Sequence, residues 1–123
     1  MKQRKIIFKG KRTDTGEWIK GDLVHAPCGC RIQRWVDDVL LVDDVAPTTV
    51  CQFTGLKDKN GKKVWEHDIL IQAIENEVIF INGSFHLIGG DDSIPFSNLF
   101  VEDSSLKLWK NIGSKFDRKE GEK

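Results

Sequence analysis

The chain has 123 residues, 39% of them hydrophobic and 31% charged, with 19 basic and 19 acidic side chains and a formal charge of +0. That length gives one ordinary domain with at most a small appendage, and the composition suits a chain that buries its own core. The balanced charge excludes a polybasic, histone-like protein, and no apolar stretch approaches the roughly 20 residues of a membrane span.

The chain opens on Lys2, Arg4, Lys5, Lys9, Lys11 and Arg12, with no acid among them. It turns charged again after Phe8, too soon for the apolar region of a secretory signal, so a cytoplasmic location is expected and no membrane. Phe8-Lys9-Gly10 leads to a turn at Thr15-Gly16 and then to Trp18-Ile19 and Asp22-Leu23-Val24. This pattern reads as a strand, a hairpin turn and a second strand entered through Asp22, whose carboxylate would accept backbone N–H groups in the turn.

Three cysteines follow: Cys28, Cys30 and Cys51. The odd count suits reduced thiols in a cytoplasm. A zinc site built from His25, Cys28, Cys30 and Cys51 is the sharper alternative, since thiolates and imidazole supply zinc's tetrahedral ligands. Its H-x2-C-x-C spacing departs from the C-x2-C knuckle, so no metal and no cofactor is expected.

Val39-Leu40-Leu41-Val42 is a short apolar strand bracketed by Asp37-Asp38 and Asp43-Asp44. An acid-flanked apolar strand of this kind reads as an edge that meets a partner. Beyond it the strand–turn pattern recurs. Phe53-Thr54-Gly55 matches Phe8-Lys9-Gly10, Gly61 matches Gly16, and Val64 matches Ile19. After one inserted residue, Asp68-Ile69-Leu70 matches Asp22-Leu23-Val24. Asp22 and Asp68 are read as turn caps rather than as a catalytic or metal-binding pair.

Ile69-Leu70-Ile71, Val78-Ile79-Phe80-Ile81 and Phe85-His86-Leu87-Ile88 are further strands, rich in β-branched or aromatic residues. Asn60-Gly61 and Asn82-Gly83 are tight-turn dipeptides, and Glu75-Asn76 is placed as a hairpin closure. Pro27, Pro47 and Pro95 fall in connections, where a missing N–H costs little. The best candidate for a short helix, and hence for an α+β variant, is Asn98–Trp109. The expected division is one domain over 1–114 and a charged tail over 115–123.

Catalytic frames are missing from the sequence. Neither a phosphate-cradling loop nor a nucleophile elbow occurs. Gly89-Gly90-Asp91-Asp92 would face a phosphate with carboxylates, and His25, His67 and His86 stand without a frame that would make them catalytic. No catalytic residue is assigned, and a non-enzymatic protein is expected. A hydrolase or metal enzyme would need Asp68, His67 and the cysteines to converge in one pocket. The candidate nucleic-acid contacts are Lys9, Lys11 and Arg12 from the first repeat and Lys57, Lys59, Lys62 and Lys63 from the second. Trp18 and Trp65 would stack on bases if the two repeats formed one basic face.

The run Thr49-Val50-Cys51-Gln52-Phe53-Thr54-Gly55-Leu56-Lys57-Asp58-Lys59-Asn60-Gly61 continues through Lys62-Lys63-Val64-Trp65-Glu66-His67-Asp68-Ile69-Leu70. It resembles the YopX family of small bacteriophage and prophage proteins, in which the typical run reads T-V-G-Q-F-T-G-L-x-D-K-N-G-K-x-I-x-E-G-D-I-V. Phe8–Arg12 and Gly16–Val24 are similar to that family's N-terminal F-R-G-K-R and G-E-W-V-x-G-D segments. Cys51 and His67 stand where the family has glycine, and His25–Val45 departs from it. Asn111-Ile112 partly echoes a C-terminal I-G-N-I-Y motif. The resemblance implies a mainly β fold with a small SH3-like barrel built from hairpins and a short C-terminal appendage. It makes Gly10, Gly16, Asp22, Gly55, Asn60, Gly61 and Asp68 structural motif residues and implies no activity. Taken with the residues, it leads us to expect a protein-interaction or self-assembly module in a bacterial host cell. Its partner would be a host or phage protein or a second copy, with a nucleic-acid-binding barrel as the alternative.

Overall fold

The computed structural model describes residues 6–27, 29–90, 92–99, 101–102 and 104–117. The chain divides into two compact units, Met1–Phe53 and Thr54–Lys123. Each has its own apolar core. The described elements are strands and three short 3-10 turns, with no α-helix among them.

In the first unit, β1 (Phe8–Lys11), β2 (Trp18–Ala26), β3 (Gly29–Val36) and β4 (Val39–Val45) pair antiparallel in sequence order. The start of β5 (Cys51–Lys57) pairs with β1 on its other side. Alternation along the strands sends Ile19, Ile32 and Val45 into the core, where Phe8, Leu23, Cys30 and Val50 pack against them. Gly10 is required here for space: a Cβ on it would lie 2.9 Å from Val45 Cβ.

The second unit contains the rest of β5 with β6 (Lys63–Trp65), β11 (Val101–Glu102) and β12 (Ser105–Leu106). Its other sheet runs β10 (Asp92–Pro95), β9 (Ser84–Gly89), β8 (Glu75–Ile81), β7 (Asp68–Ile71) and β13 (Lys110–Ser114). Val64, Leu70, Val78, Phe85, Leu87, Leu106 and Trp109 form the core. Asn82-Gly83 makes a two-residue hairpin turn with φ of 51° and 85°, the left-handed pair that suits the strands' twist.

Four expectations are corrected. Neither sheet path closes into a barrel through its ladders. The nearest approach to closure is one bridge, Arg12 to Val45, flanked by Thr13 N–H to Asp44 O at 3.2 Å and Ala46 N–H to Lys11 O at 2.8 Å. The helix candidate Asn98–Trp109 contains the strands β11 and β12 instead, because Val101-Glu102 pairs with Ser105-Leu106 and Ser105 pairs with Lys57 of β5, a pairing that brings Leu106 and Trp109 into the core without a helix. The turn between β7 and β8 falls at residues 72–74, and Glu75-Asn76 already belongs to β8, where Asn76 is buried. Asp22 lies inside β2, exposed and opposite Gln33, so it caps no turn. The residue inserted in the second repeat is the reason. It lets the chain break at Glu66-His67 before Asp68, whereas β2 runs straight through Gly21. Within the expected tail, Lys115–Asp117 forms a 3-10 turn, and 118–123 lie outside the described residues.

Candidate functional site

The carboxylates of the second repeat are engaged inside the protein. Asp58 is 1% exposed. Its Oδ1 accepts the N–H groups of Asn60 and Lys62 at 2.8 Å each, and its Oδ2 accepts that of Asn111 at 2.7 Å. Asp68 Oδ2 accepts Trp65 N–H at 2.8 Å and the Asn111 side-chain amide at 2.7 Å. Asn111 also donates to Lys63 O and accepts Gly113 N–H. Burial alone pushes the Asp58 carboxyl up, but the three backbone donors and the Lys62 charge outweigh it and hold it below the ordinary value. Asp58 and Asp68 thus tie the β5–β6 hairpin and the turn before β7 to β13. Sequence reasoning missed Asp58 and Asn111; the signals were the Asp-x-Asn-Gly turn chemistry and the echo at Asn111-Ile112. Gly55 and Gly61 serve this hairpin through left-handed φ of 87° and 85°.

His67 takes φ of 68°, a left-handed conformation that glycine adopts more readily than histidine. Its Nδ1 lies 2.7 Å from Glu77 Oε2, which also meets Lys115 Nζ at 3.1 Å, and its ring meets the Phe116 ring edge at 5.1 Å. Asp68 faces inward to Trp65 and Asn111, so His67 and Asp68 do not form an acid–base pair. Cys51 is buried and its Sγ donates to Thr49 O at 3.2 Å. His25 and Cys30 sit opposite each other on β2 and β3, and Cys28 lies outside the described residues. Among the described residues no three His, Cys, Asp or Glu side chains are arranged to hold a metal ion.

The candidate nucleic-acid contacts divide between the units. In the first, Lys9 is only 8% exposed, with Nζ 4.3 Å from the Trp18 ring centroid, and Lys11 Nζ lies 5.2 Å from it. Cation–π contact therefore occupies the Trp18 ring. Arg12 is held in a two-pronged pair with Asp14, at 2.9 and 2.8 Å. In the second unit Lys57, Lys59, Lys62 and Lys63 are exposed around the Asn60-Gly61 turn. Trp65 is corrected: it is 4% exposed and offers no ring face to a base. Gly16, with φ of 76°, lies at the exposed first turn.

The most exposed apolar feature is the β3–β4 hairpin. Asp37 and Asp38 form its two-residue turn with φ of 49° and 65°. Trp35 (68% exposed), Leu40 (42%) and Val42 (47%) stand on one face, and Val36, Val39 and Leu41 stand exposed on the other. β4 ends its sheet, and among the described residues Lys11–Thr13 covers its open side only from Asp44 onward, so Val39–Asp43 has no strand beside it. Monomeric proteins rarely display apolar side chains on both faces of an edge hairpin without a partner for them.

The chain is therefore a mainly β protein in which the second copy of the sequence motif builds an internal clamp, with an apolar hairpin left open. Over residues 7–116 it matches the family model described as YopX protein, and it belongs to the YopX family. No curated protein matches it. Among the described residues no helix is long and apolar enough to cross a membrane.

Proposed function

We propose that this protein is a non-enzymatic interaction module of a phage or prophage, acting in the cytoplasm of a bacterial host. It docks through the β3–β4 hairpin onto a host or phage protein or onto a second copy. The observation that carries this reading is the two-faced exposure of Trp35, Val36, Val39, Leu40, Leu41 and Val42 at a sheet edge. The engagement of Asp58, Asp68 and Asn111 with one another and with the backbone supports a structural rather than catalytic role for the family motif. The Arg12–Val45 bridge supports reading the first unit as an opened relative of the SH3-like barrel.

The test is affinity purification from the host with nuclease treatment, comparing the native chain with a Trp35→Ser/Leu40→Ser variant. A nuclease-resistant protein partner or a defined oligomer is expected with the native chain and lost with the variant. A strict monomer that retains no protein in either form contradicts the reading.

One observation favours the alternative of nucleic-acid binding: the four exposed lysines around Asn60-Gly61. Under it, charge reversal at Lys57, Lys59, Lys62 and Lys63 abolishes salt-sensitive binding to single-stranded DNA or RNA. Unchanged affinity rules it out.

A further inference from the structure

We infer that the open edge of β4 takes an added strand from a partner segment of particular chemistry: an extended, β-branched apolar stretch flanked by lysine or arginine. This deepens the interaction-module reading and rests on it.

The edge itself comes first. Val39–Asp43 has no strand on its outer side among the described residues, so its backbone offers a row of donors and acceptors. Natural edges are blunted by lysine, proline, a bulge or an inward charge. Val39-Leu40-Leu41-Val42 carries none of these; the inward charge is Asp43 at the end of the open stretch, on the face of Ile32. A strand added here gains main-chain hydrogen bonds along the edge, and its alternate side chains pack on both faces at once. Leu40 and Val42, beside Trp35, wait on one face; Val39 and Leu41, beside Val36, wait on the other.

Charge selects the occupant. The apolar stretch has acids at both ends. Asp44 is paired with Arg31 at 2.9 Å, and Asp43 lies 3.8 Å from Arg12 and 3.9 Å from Arg34. Asp37 and Asp38 at the turn are exposed, and no ion pair among the described residues offsets them.

A second copy is a poor fit. Two β4 edges related by a twofold axis pair antiparallel. The registers centred on Leu40 or on Leu41 keep the most apolar pairs, yet the first sets Asp38 against the copy's Val42 and the second sets Val39 against its Asp43. The first also sets Asp37 against the copy's Asp43, and the second sets Asp38 against its Asp44. Like charges directly opposite destabilise a strand pair. A basic-flanked strand instead meets Asp37 and Asp38 with opposite charge, which favours it over acidic competitors.

The test uses the full chain and two synthetic peptides, Lys-Lys-Val-Ile-Val-Ile-Lys-Lys and its twin with glutamates in place of the lysines. Binding is read by titration, and the site by amide hydrogen exchange. The lysine peptide is expected to bind at least about tenfold more tightly than its twin and to slow exchange at Val39–Val42. Asp37→Asn/Asp38→Asn, which keeps residues tolerant of left-handed φ, should narrow that difference to about threefold or less.

Equal binding of the two peptides overturns the charge selection, and protection elsewhere on the chain overturns the site. A concentration-dependent dimer that Val42→Lys makes monomeric, with neither peptide bound, shows that a second copy covers the edge. That outcome overturns this inference while the interaction module survives. A monomer that binds neither peptide overturns the inference also; the module reading then stands or falls on the host capture.

Discussion

Asp58 joins its own turn to β13 through a single buried carboxylate. It is almost fully buried and satisfies three backbone N–H groups, two in its own turn and one on β13. Replacing it with alanine leaves those donors without their acceptor, and the loss should be about 3 kcal/mol, read by denaturant unfolding. Because its folded pKa is held down, the unfolded chain takes up a proton first as the pH falls. Stability from Asp58 is therefore full above the ordinary carboxylate value of about 4 and drains away as the pH drops through the folded pKa. Asp58→Asn should flatten that acid limb; an unchanged limb would mean that other groups set it. His67 makes a second residue-scale case. With φ of 68°, His67→Gly should be more stable than His67→Ala by about 1 kcal/mol, since only the glycine accepts that conformation freely. Equal stabilities would show that backbone strain plays no part there.

At the scale of elements, local chemistry explains what was legible. Short β-branched runs became strands because they match a pleated, half-buried surface. Asn82-Gly83 became a turn because both residues accept left-handed φ. His86 points away from buried Phe85 and Leu87, as alternation requires. What failed depended on distant partners. β3 carries no clear strand pattern, because Arg31, Gln33 and Arg34 dilute its apolar residues, yet it is held between β2 and β4. Asp37-Asp38 gave no turn signal as strong as Asn-Gly. Asp58 and Asn111 meet only through the tertiary fold, so neither announced the clamp. Gly10 shows the same dependence, because its need for space is set by Val45 across the first core. Gly10→Ala should cost about 1–3 kcal/mol, and Val45→Ala in the same chain should recover part of it, since it removes the Val45 Cγ atoms 3.0 and 3.3 Å from the new Cβ while the 2.9 Å contact with Val45 Cβ stays. Additive losses in the double variant would contradict that contact.

For the whole molecule, two units each bury a core, and the family motif is spent on holding the second one together. That motif therefore describes a scaffold, and the hairpin between Gly29 and Val45 takes no part in it. A scaffold that carries an open apolar edge is the organisation expected of a module that presents a recognition surface. Trp35→Ser/Leu40→Ser should then leave unfolding stability within about 0.5 kcal/mol, because both side chains are exposed, while removing the interaction. The most direct measurement is photo-crosslinking in the living host, with a benzophenone side chain placed at position 40 and, as a control, at the exposed Glu102. A discrete protein adduct at position 40 and none at position 102 is the predicted result. No protein adduct at position 40, or the same adducts at both positions, would contradict the hairpin as the interaction surface.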